Sequence, residues 1–287
     1  MGLFSRFRTS NTLYFPGCVT YFKFNENFEL YKKIFSKLGI GFRVIDKKIC
    51  CGLPAFEAGY EVEARKLARR NFEIFKEEGI DEIITACPAC YKMLSQDYPE
   101  MLPDWNIEVK NLWEIILEKL ENKPRLIKNQ AMKMVTYHDS CYLGRYCGIY
   151  NTPRRILELI GYEIKEMSDS KENSMCCGSC GGLTRTNLPL ADEIAKQRLL
   201  QSKRIGINKI IVTSLENYQA LNRNAKEFDI KILEFSEVLA KALGIKIKEK
   251  EVSEELTEEK QLVLDAEANI QLEEELKEED YYDEMEA

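Results

Sequence analysis

The sequence lacks the features of several large classes of protein. It contains one histidine and two tryptophans among 287 residues. It has no secretory signal pattern and no apolar run near the roughly 18 residues of a membrane-spanning helix. It also carries no nucleic-acid-binding motif. These absences disfavour a membrane-spanning, secreted or nucleic-acid-binding protein. We expect a cytoplasmic protein that would associate with a membrane only through a partner.

Cysteine, by contrast, is plentiful. The chain has ten cysteines, and the cytoplasm is too reducing for structural disulfides. Buried free cysteines could account for one or two of them, because a thiol packs as a small apolar group. That explanation does not account for adjacent pairs and Cys-x2-Cys spacing. Metal binding or redox chemistry is therefore the favoured use.

Charge is distributed unevenly along the chain. Residues 248–287 contain 17 acidic and four basic residues, a balance of −13, which leaves 31 acidic and 37 basic residues in 1–247, a balance of +6. We predict that the acidic tail, residues 248–287, is solvated and disordered, with marginal helix. The basic segment 1–11 is predicted to be a frayed terminus rather than a docking segment. The basic body suits thiolate-bound metal or an anionic substrate as well as it suits nucleic acid.

Five cysteines in the first third of the chain form a spacing pattern, C-x31-CC-x35-C-x2-C. Gly52 follows the adjacent pair and permits the sharp turn that would aim two neighbouring thiols at one target. This is the pattern of a metal cluster. The members of this first cysteine group are Cys18, Cys50, Cys51, Cys87 and Cys90.

The chain also repeats itself at an interval of about 125 residues. Cys18 corresponds to Cys141 at 123 residues, and Cys50 corresponds to Cys176 at 126 residues. We predict a first repeat at 12–125 and a second at 126–247. The second cysteine group consists of Cys141, Cys147, Cys176, Cys177 and Cys180.

Strands and helices alternate in both repeats. Predicted strands are 12–16, 41–45, 82–86, 107–109, 134–138, 162–167 and 209–213, and the main predicted helices are 27–38, 61–78, 112–120, 153–160 and 190–205. A shorter helix is predicted to open at Cys87-Pro88. The alternation predicts an α/β fold with mainly parallel sheets. Ligands bind beyond the carboxyl ends of strands in such sheets, where the cysteines fall.

Iron–sulfur binding fits the thiols better than the alternatives. Cysteine sulfur holds such clusters, and four to five thiols per repeat suit one cluster each. Zinc also binds four cysteines, but its sites usually combine two short-spaced pairs without a fifth thiol. A thioredoxin-like use of Cys87-Pro-Ala-Cys90 would leave Cys18, Cys50 and Cys51 unexplained.

Five motifs together carry a family resemblance: Tyr14-Phe-Pro-Gly-Cys18, Cys50-Cys51-Gly52, Cys87-x2-Cys90, His138-Asp-Ser-Cys-Tyr-Leu-Gly-Arg145 and Cys176-Cys177-Gly178. Residues 12–240 resemble the cysteine-rich "CCG" domain proteins, above all the catalytic iron–sulfur subunit of heterodisulfide reductase in its B/D form. Related subunits serve lactate, glycolate, glycerol-3-phosphate, fumarate and succinate oxidoreductases.

The resemblance implies a site and a reaction. The first cysteine group would bind a noncubane [4Fe–4S] cluster through all five thiols and would be the catalytic site, where a small disulfide is cleaved reductively. Larger members of the family carry an N-terminal two-cluster ferredoxin module. This chain shows none, so a separate ferredoxin-like subunit or a flavoprotein would supply electrons, with a membrane cytochrome as a further partner.

The second repeat departs from the family pattern. It reads Ser214-Leu-Glu-Asn217 where Cys-x2-Cys belongs, which excludes a second noncubane cluster on the family's own ligands. We predict a cubane [4Fe–4S] cluster on Cys141, Cys176, Cys177 and Cys180, with Cys147 in reserve. The alternative is a decayed site with leftover thiols.

Each charged residue near the cysteines has two competing interpretations. His138, the only histidine, could hydrogen-bond cluster sulfur or be a structural group. Arg145, Arg154, Lys47 and Lys48 could offset cluster charge or meet an anionic substrate, or they could be solvated surface charges. His138 and Arg145 are the predicted cofactor-binding pair.

Two other functions compete with disulfide reduction. One is a non-catalytic electron-transfer subunit between a flavoprotein dehydrogenase and a quinone or membrane partner. The other is a zinc-stabilised structural module. An exposed face at Cys51 and Cys90 would favour catalysis, and a buried one would favour electron relay.

Overall fold

Parallel strands form two sheets in the computed structural model, which describes residues 11–45 and 49–247. The predicted acidic tail, most of the basic segment 1–11, and both Lys47 and Lys48 lie outside the described residues. The strands are β1 (Thr12–Tyr14), β2 (Glu82–Thr85), β3 (Glu108–Asn111), β4 (Lys133–His138), β5 (Tyr162–Ile164), β6 (Lys209–Val212) and β7 (Lys231–Glu234).

The two sheets have equivalent strand orders. The first runs β1-β2-β3 and the second runs β5-β4-β6-β7. In the first sheet, Arg43 lies beside β1 in the place that β5 takes beside β4, and it forms a single parallel bridge with Leu13. The predicted strand over 41–45 is therefore wrong, because this segment forms one bridge and no strand. A segment at the sheet edge has one neighbour only, and here pairing is limited to the two backbone hydrogen bonds of Arg43.

Helices connect the strands and cover the sheets. They are α1 (Asn25–Leu38), α2 (Leu53–Glu57), α3 (Glu61–Glu77), α4 (Pro88–Lys92), α5 (Tyr98–Met101), α6 (Leu112–Asn122), α7 (Asn151–Leu159), α8 (Leu183–Thr186), α9 (Leu188–Arg204), α10 (Leu215–Ala225) and α11 (Phe235–Ala242). The apolar spacing of α1 places Tyr31, Ile34 and Phe35 on one buried face. Gly39 ends this helix at φ 69°, a left-handed conformation that glycine adopts without strain.

Single π-helical turns follow the first cysteine of each repeat. Val19–Lys23 follows Cys18, and Tyr142–Tyr146 follows Cys141. Such turns are rare overall, and those that occur often lie at functional sites. The two repeats therefore share a local backbone feature at their cysteines as well as a strand order. A third turn of this kind, Met93–Asp97, continues α4.

The largest apolar core is shared by the two repeats. It contains Tyr14, Tyr31 and Trp113 from the first repeat and Val135, Ile211 and Phe235 from the second. The Trp113 and Phe235 rings pack edge to face with centroids 5.0 Å apart. Both sheets consequently belong to one compact unit that ends at Ile247.

The predicted α/β class with parallel sheets is confirmed. Cys18, Cys87 and Cys141 follow the carboxyl ends of β1, β2 and β4, as expected for ligands in parallel sheets. The repeat boundary between residues 125 and 126 stays a prediction. Within the described ranges, none of the helices combines the length and apolar character of a membrane span.

Candidate metal centre

All five thiols of the first cysteine group lie together. Side-chain hydrogen bonds join Cys18 to Cys50, Cys50 to Cys51 and Cys87 to Cys90. The Cys90 thiol also donates to the Cys51 sulfur, and their Sγ atoms are 3.4 Å apart. The fold thus brings residues 72 positions apart in sequence into one continuous set of sulfurs.

Burial divides this group into two parts. Cys51, Cys87 and Cys90 are 3%, 7% and 2% exposed, whereas Cys18 and Cys50 are half-buried. An approaching molecule would therefore meet Cys18 and Cys50 first. The burial of Cys51 and Cys90 is the arrangement that we expected of an electron relay.

Backbone N–H groups point at the sulfurs. Gly52 donates to the Cys50 Sγ over 3.4 Å, and the Cys90 N–H donates to the Cys87 Sγ over 3.5 Å. Hydrogen bonds from the Cys50 and Cys90 thiols lower the pKa of Cys51 to about 6. Thiolate is the form that binds metal, so these hydrogen bonds favour that form at Cys51. The hydrogen bond to Cys51 raises the pKa of Cys90.

Gly17 allows the chain to pass close to these sulfurs. Its φ is +80°, and a Cβ on it would lie 3.0 Å from the Cys87 Cβ and 3.1 Å from the Cys90 Sγ. A side chain at this position would be strained and would push on two thiols. Glycine is the residue that fits both the backbone angle and the space.

Two buried polar side chains that we did not predict hold the Cys50-Cys51 backbone. Asn71 on α3 donates to the Cys50 carbonyl over 2.7 Å and to the Tyr98 hydroxyl over 2.7 Å. The Tyr98 hydroxyl donates in turn to the Cys51 carbonyl over 3.1 Å. A sequence signal existed: Asn71 is a polar residue on the apolar face of an amphipathic helix.

Three thiols of the second cysteine group meet at a second place. Hydrogen bonds join Cys141, Cys176 and Cys180 to one another. The Arg145 guanidinium donates to the Cys141 Sγ over 3.1 Å, and the Gly178 N–H donates to the Cys176 Sγ over 3.3 Å. Hydrogen bonds from Cys141, from Cys180 and from this N–H lower the pKa of Cys176 to about 2.

The other two cysteines of this group have different neighbours. Cys177 is fully buried, and its sulfur accepts a hydrogen bond from Asn217 Nδ2 at 3.1 Å. Cys147 contacts Gln96 Nε2 at 3.7 Å, and burial raises its pKa to about 11. Of the four ligands that we predicted for the second repeat, Cys141, Cys176 and Cys180 come together, whereas Cys177 has other partners. The reserve ligand, Cys147, lies apart from them.

His138 is buried beside the second group. Arg198 Nε donates to its Nδ1 over 3.1 Å, so the ring proton must be on Nε2, for which the described residues offer no hydrogen-bond partner. Burial and Arg198 lower the pKa of His138 to about 3, which keeps the ring neutral. His138 thus presents a buried N–H donor, which is suited to sulfur.

The Arg154 side chain is engaged in ion pairs within the protein and does not face an open site. It forms a bidentate ion pair with Asp139 at 2.7 and 2.8 Å and a second pair with Glu166 at 2.6 and 3.0 Å. Its guanidinium also lies 4.9 Å from the Tyr137 ring centroid. With all these contacts, Arg154 is occupied inside the second repeat.

Side chains connect the two cysteine groups. The Tyr142 hydroxyl donates to both Glu57 oxygens at 2.8 and 2.9 Å and also hydrogen-bonds Cys180. Cys180 packs against the apolar cluster that contains Cys51 and Cys90. From the second repeat, Glu216 Oε1 lies 3.8 Å from the Cys87 Sγ. No sequence pattern indicates the roles of Tyr142 and Glu216, because both contacts cross between repeats.

The residues present fit iron–sulfur clusters. The donors are soft sulfurs, with backbone N–H groups directed at them and a glycine where a side chain would intrude. No three His, Cys, Asp or Glu groups in the described part of the chain are placed to hold a single metal ion. The fit therefore rests on the thiol chemistry and its backbone donors.

Fold and site define the chain as an α/β protein that carries two groups of cysteine thiols at strand ends, of the iron–sulfur type. It belongs to the cysteine-rich domain (CCG) family, which matches residues 12–95 and 135–216. The two matches coincide with the two cysteine groups. The resemblance seen in the sequence is thereby confirmed.

Several curated relatives are oxidoreductases or parts of them. One subunit of the dihydromethanophenazine:CoB–CoM heterodisulfide reductase from Methanosarcina barkeri is 29% identical over 246 residues, covering 82% of this chain and 60% of that relative. The EtfAB:quinone oxidoreductase of Syntrophomonas wolfei is 34% identical over 197 residues, covering 67% of this chain and 27% of that protein. One subunit of the CoM/CoB fumarate reductase from Methanothermobacter marburgensis is 30% identical over 200 residues, covering 69% of this chain and 39% of that relative.

The chain spans about 60% or less of the length of these relatives. They support an iron–sulfur redox role for it. Among solved structures, the aspartate racemase of Picrophilus torridus reaches a TM-score of 0.36 at 13% identity, covering 84% of this chain and 97% of that one. That likeness is too weak to support an inference.

Proposed function

We propose that this chain is the iron–sulfur catalytic subunit of a heterodisulfide reductase-like complex. Its reaction is the reductive cleavage of a small disulfide: the S–S bond breaks, two electrons and two protons are taken up, and two thiols form. The observation that carries the proposal is the gathering of all five thiols of the first cysteine group. Five is the number that the resemblance assigns to a disulfide-cleaving noncubane [4Fe–4S] cluster.

The chain's residues would hold that cluster and fix its surroundings. When bound, the cluster supplies electrons singly to the disulfide. The Gly52 and Cys90 N–H groups donate to the sulfurs of Cys50 and Cys87, and Asn71 fixes the backbone of the Cys50-Cys51 pair. The half-buried side at Cys18 and Cys50 is the side from which a disulfide would approach.

The second cysteine group would hold a cubane cluster that relays electrons to the first. Tyr142 and Cys180 support this order, because Tyr142 belongs to the apolar cluster that contains Cys51 and Cys90, and Cys180 of the second group packs against that cluster. Electrons would come from a ferredoxin-like iron–sulfur subunit or a flavoprotein. One relative is named as a subunit of a reductase and another as an EtfAB:quinone oxidoreductase, and both names support such partners.

The first test is iron content in protein purified without oxygen. Cys90→Ser should abolish or convert the first cluster, because serine oxygen is a poor substitute for sulfur at iron. Cys147→Ser is the matched control, since Cys147 lies apart from both sets of gathered thiols. We expect a loss of up to about four irons per chain in Cys90→Ser and none in Cys147→Ser. Equal iron in the two variants would contradict the assignment.

One observation favours a second candidate, a non-catalytic electron-transfer subunit. Cys51 and Cys90 are 3% and 2% exposed, which limits access for a substrate. The similarity to an EtfAB:quinone oxidoreductase agrees with this candidate. Reduced protein mixed with disulfides separates the two functions: a catalytic subunit forms thiols, whereas a relay stays reduced until an electron acceptor is added.

A further inference from the structure

We propose that the second cysteine group binds its cluster through three thiols, Cys141, Cys176 and Cys180, and that Cys177 is a structural residue. This inference rests on the proposed cubane cluster of the second repeat and revises its ligand set. It also implies that one iron of the cubane receives no cysteine sulfur from this repeat.

The three thiols already form a closed set. Each of Cys141, Cys176 and Cys180 lies within hydrogen-bonding reach of the other two. Gly178 lets the loop between Cys176 and Cys180 lie close against α9. Any side chain at this position would clash, because a Cβ would lie 2.4 Å from the Ala191 carbonyl oxygen. The short Cys-x3-Cys spacing thus places two sulfurs at one point beside Cys141.

Cys177 lies near these thiols but is held by other side chains, one of which, Ser179, also places its Oγ 3.5 Å from the Cys180 Sγ. The Cys177 sulfur contacts Asn217 Nδ2 at 3.1 Å and Ser179 Oγ at 3.3 Å. It is 0% exposed and packs in an apolar cluster with Leu199, Val212 and Leu221. That cluster lies between β6, α9 and α10, and it includes none of the other cysteines of the second group.

The Cys177–Asn217 pair of the second repeat takes the place of a pair of thiols in the first repeat. Cys177 corresponds to Cys51 at 126 residues, and Asn217 corresponds to Cys90 at 127 residues. In the first repeat Cys90 contacts Cys51 sulfur to sulfur at 3.4 Å. In the second, the amide of Asn217 makes the same contact to Cys177. The thiol pair has become a thiol–amide pair, which holds its partner by a hydrogen bond and offers no second sulfur.

Ser214 shows the same kind of replacement at the other end of the motif. Cys87 caps α4 by accepting from the Cys90 N–H at 3.5 Å. Ser214, which stands 127 residues later, caps α10 by accepting from the Asn217 N–H at 3.4 Å. The segment from Ser214 to Asn217 has therefore kept the structural hydrogen bonds of Cys-x2-Cys and lost its sulfurs. A merely decayed motif would not be expected to preserve both contacts.

Neither remaining candidate supplies a fourth ligand. His138 receives the Arg198 N–H on Nδ1, so its Nε2 carries a proton and can donate but cannot bind metal. Cys147 contacts Gln96, and its nearest charges are Lys92 and Asp97. The fourth iron of a cubane would take a solvent-derived or added donor.

Iron content of two variants tests the ligand set. Full-length wild type, Cys180→Ala and Cys177→Ala are purified without oxygen, and iron and sulfide per chain are measured. We expect Cys180→Ala to lose about four irons and Cys177→Ala to keep the wild-type amount. Because Cys177 is buried, Cys177→Ser serves as a second variant that can still accept from Asn217 if the alanine variant does not fold.

The outcomes are distinguishable. Loss of the same iron in Cys180→Ala and in natively folded Cys177→Ser would overturn the three-thiol site and leave the proposed cluster standing. Full iron in Cys180→Ala would overturn the proposed second cluster and the ligand set with it.

Electron paramagnetic resonance tests whether one iron of the second cluster lacks a cysteine ligand. The difference between reduced wild type and Cys180→Ala isolates the signal of the second site. Cyanide, a small ligand for iron, should shift the g-values of this difference signal. A signal that cyanide leaves unchanged would contradict an iron without a protein sulfur.

Discussion

Glu234 is a buried carboxyl group whose titration should make folding stability depend on pH. It lies at the end of β7 and is 1% exposed. It accepts hydrogen bonds from Asn27 at 3.1 Å, from Tyr31 at 2.9 Å and from the Ser236 N–H at 2.7 Å. Asn27 and Tyr31 belong to the first repeat, so this carboxyl group joins the two repeats.

The sign of the effect follows from the direction of the pKa shift. Burial raises the pKa of Glu234 from 4.5 to about 7, although the donors act in the opposite direction. The folded chain keeps the proton up to about pH 7, whereas the unfolded chain releases it near pH 4.5. The contribution to the free energy of unfolding is thus full below pH 4.5 and is lost as the pH rises through 7. It amounts to about 3 kcal/mol in total, of which about 2 kcal/mol disappears between pH 5.5 and 8.5.

Urea unfolding of wild type and Glu234→Gln across that pH range measures this term. The glutamine variant cannot titrate, so the difference between the two proteins cancels the pH dependence of the clusters and of other groups. We expect wild type to lose about 2 kcal/mol relative to the variant between pH 5.5 and 8.5. A difference that does not change with pH would refute the assignment, whatever the absolute stability of the variant.

Three further substitutions test the surroundings of the sites. Asn71→Ala should lower the free energy of unfolding by about 2 kcal/mol, measured with urea, because it removes the donor to the part-buried Cys50 carbonyl and to the buried Tyr98 hydroxyl; an unchanged value would contradict that role. Glu216→Gln should raise the reduction potential of the first site in a redox titration, since it removes a negative charge beside Cys87, and the exposed Glu118→Gln is the control that should not. Arg154→Met should cost about 3–5 kcal/mol by leaving Asp139 buried and unpaired; loss of iron without loss of stability would instead place Arg154 in the metal site.

Local pattern was enough to predict much of the fold. The predicted strand 134–138 and helix 190–205 appear as β4 and α9 with shifts of one or two residues, because apolar spacing and a terminal glycine define such elements. The alternation of elements predicted the parallel sheets. By contrast, β7, α10 and α11 match no predicted element, and the predicted strand over 41–45 is reduced to the single bridge of Arg43 at the sheet edge.

For the candidate site, too, the sequence predicts the residues involved but not which of them contact one another. Spacing and the internal repeat are enough to indicate all ten cysteines as candidate ligands. Which thiols meet could not be read from spacing, because it depends on how separate elements pack. Cys177 is adjacent to Cys176 in sequence, yet its partner is Asn217 on α10, 40 residues away. The roles of Glu216 and Tyr142 could not be predicted for the same reason, since their partners belong to the other repeat.

Disulfide cleavage at the first cysteine group is the central claim, and thiol formation measures it directly. Wild type purified without oxygen is supplied with reduced viologen and a panel of small disulfides, and the thiols released are counted against the viologen oxidised. The proposal predicts turnover with two thiols per two electrons, lost in Cys90→Ser and kept in Cys147→Ser. Viologen-reduced wild type that transfers electrons to an added quinone or flavoprotein but forms no thiol from any disulfide would contradict it.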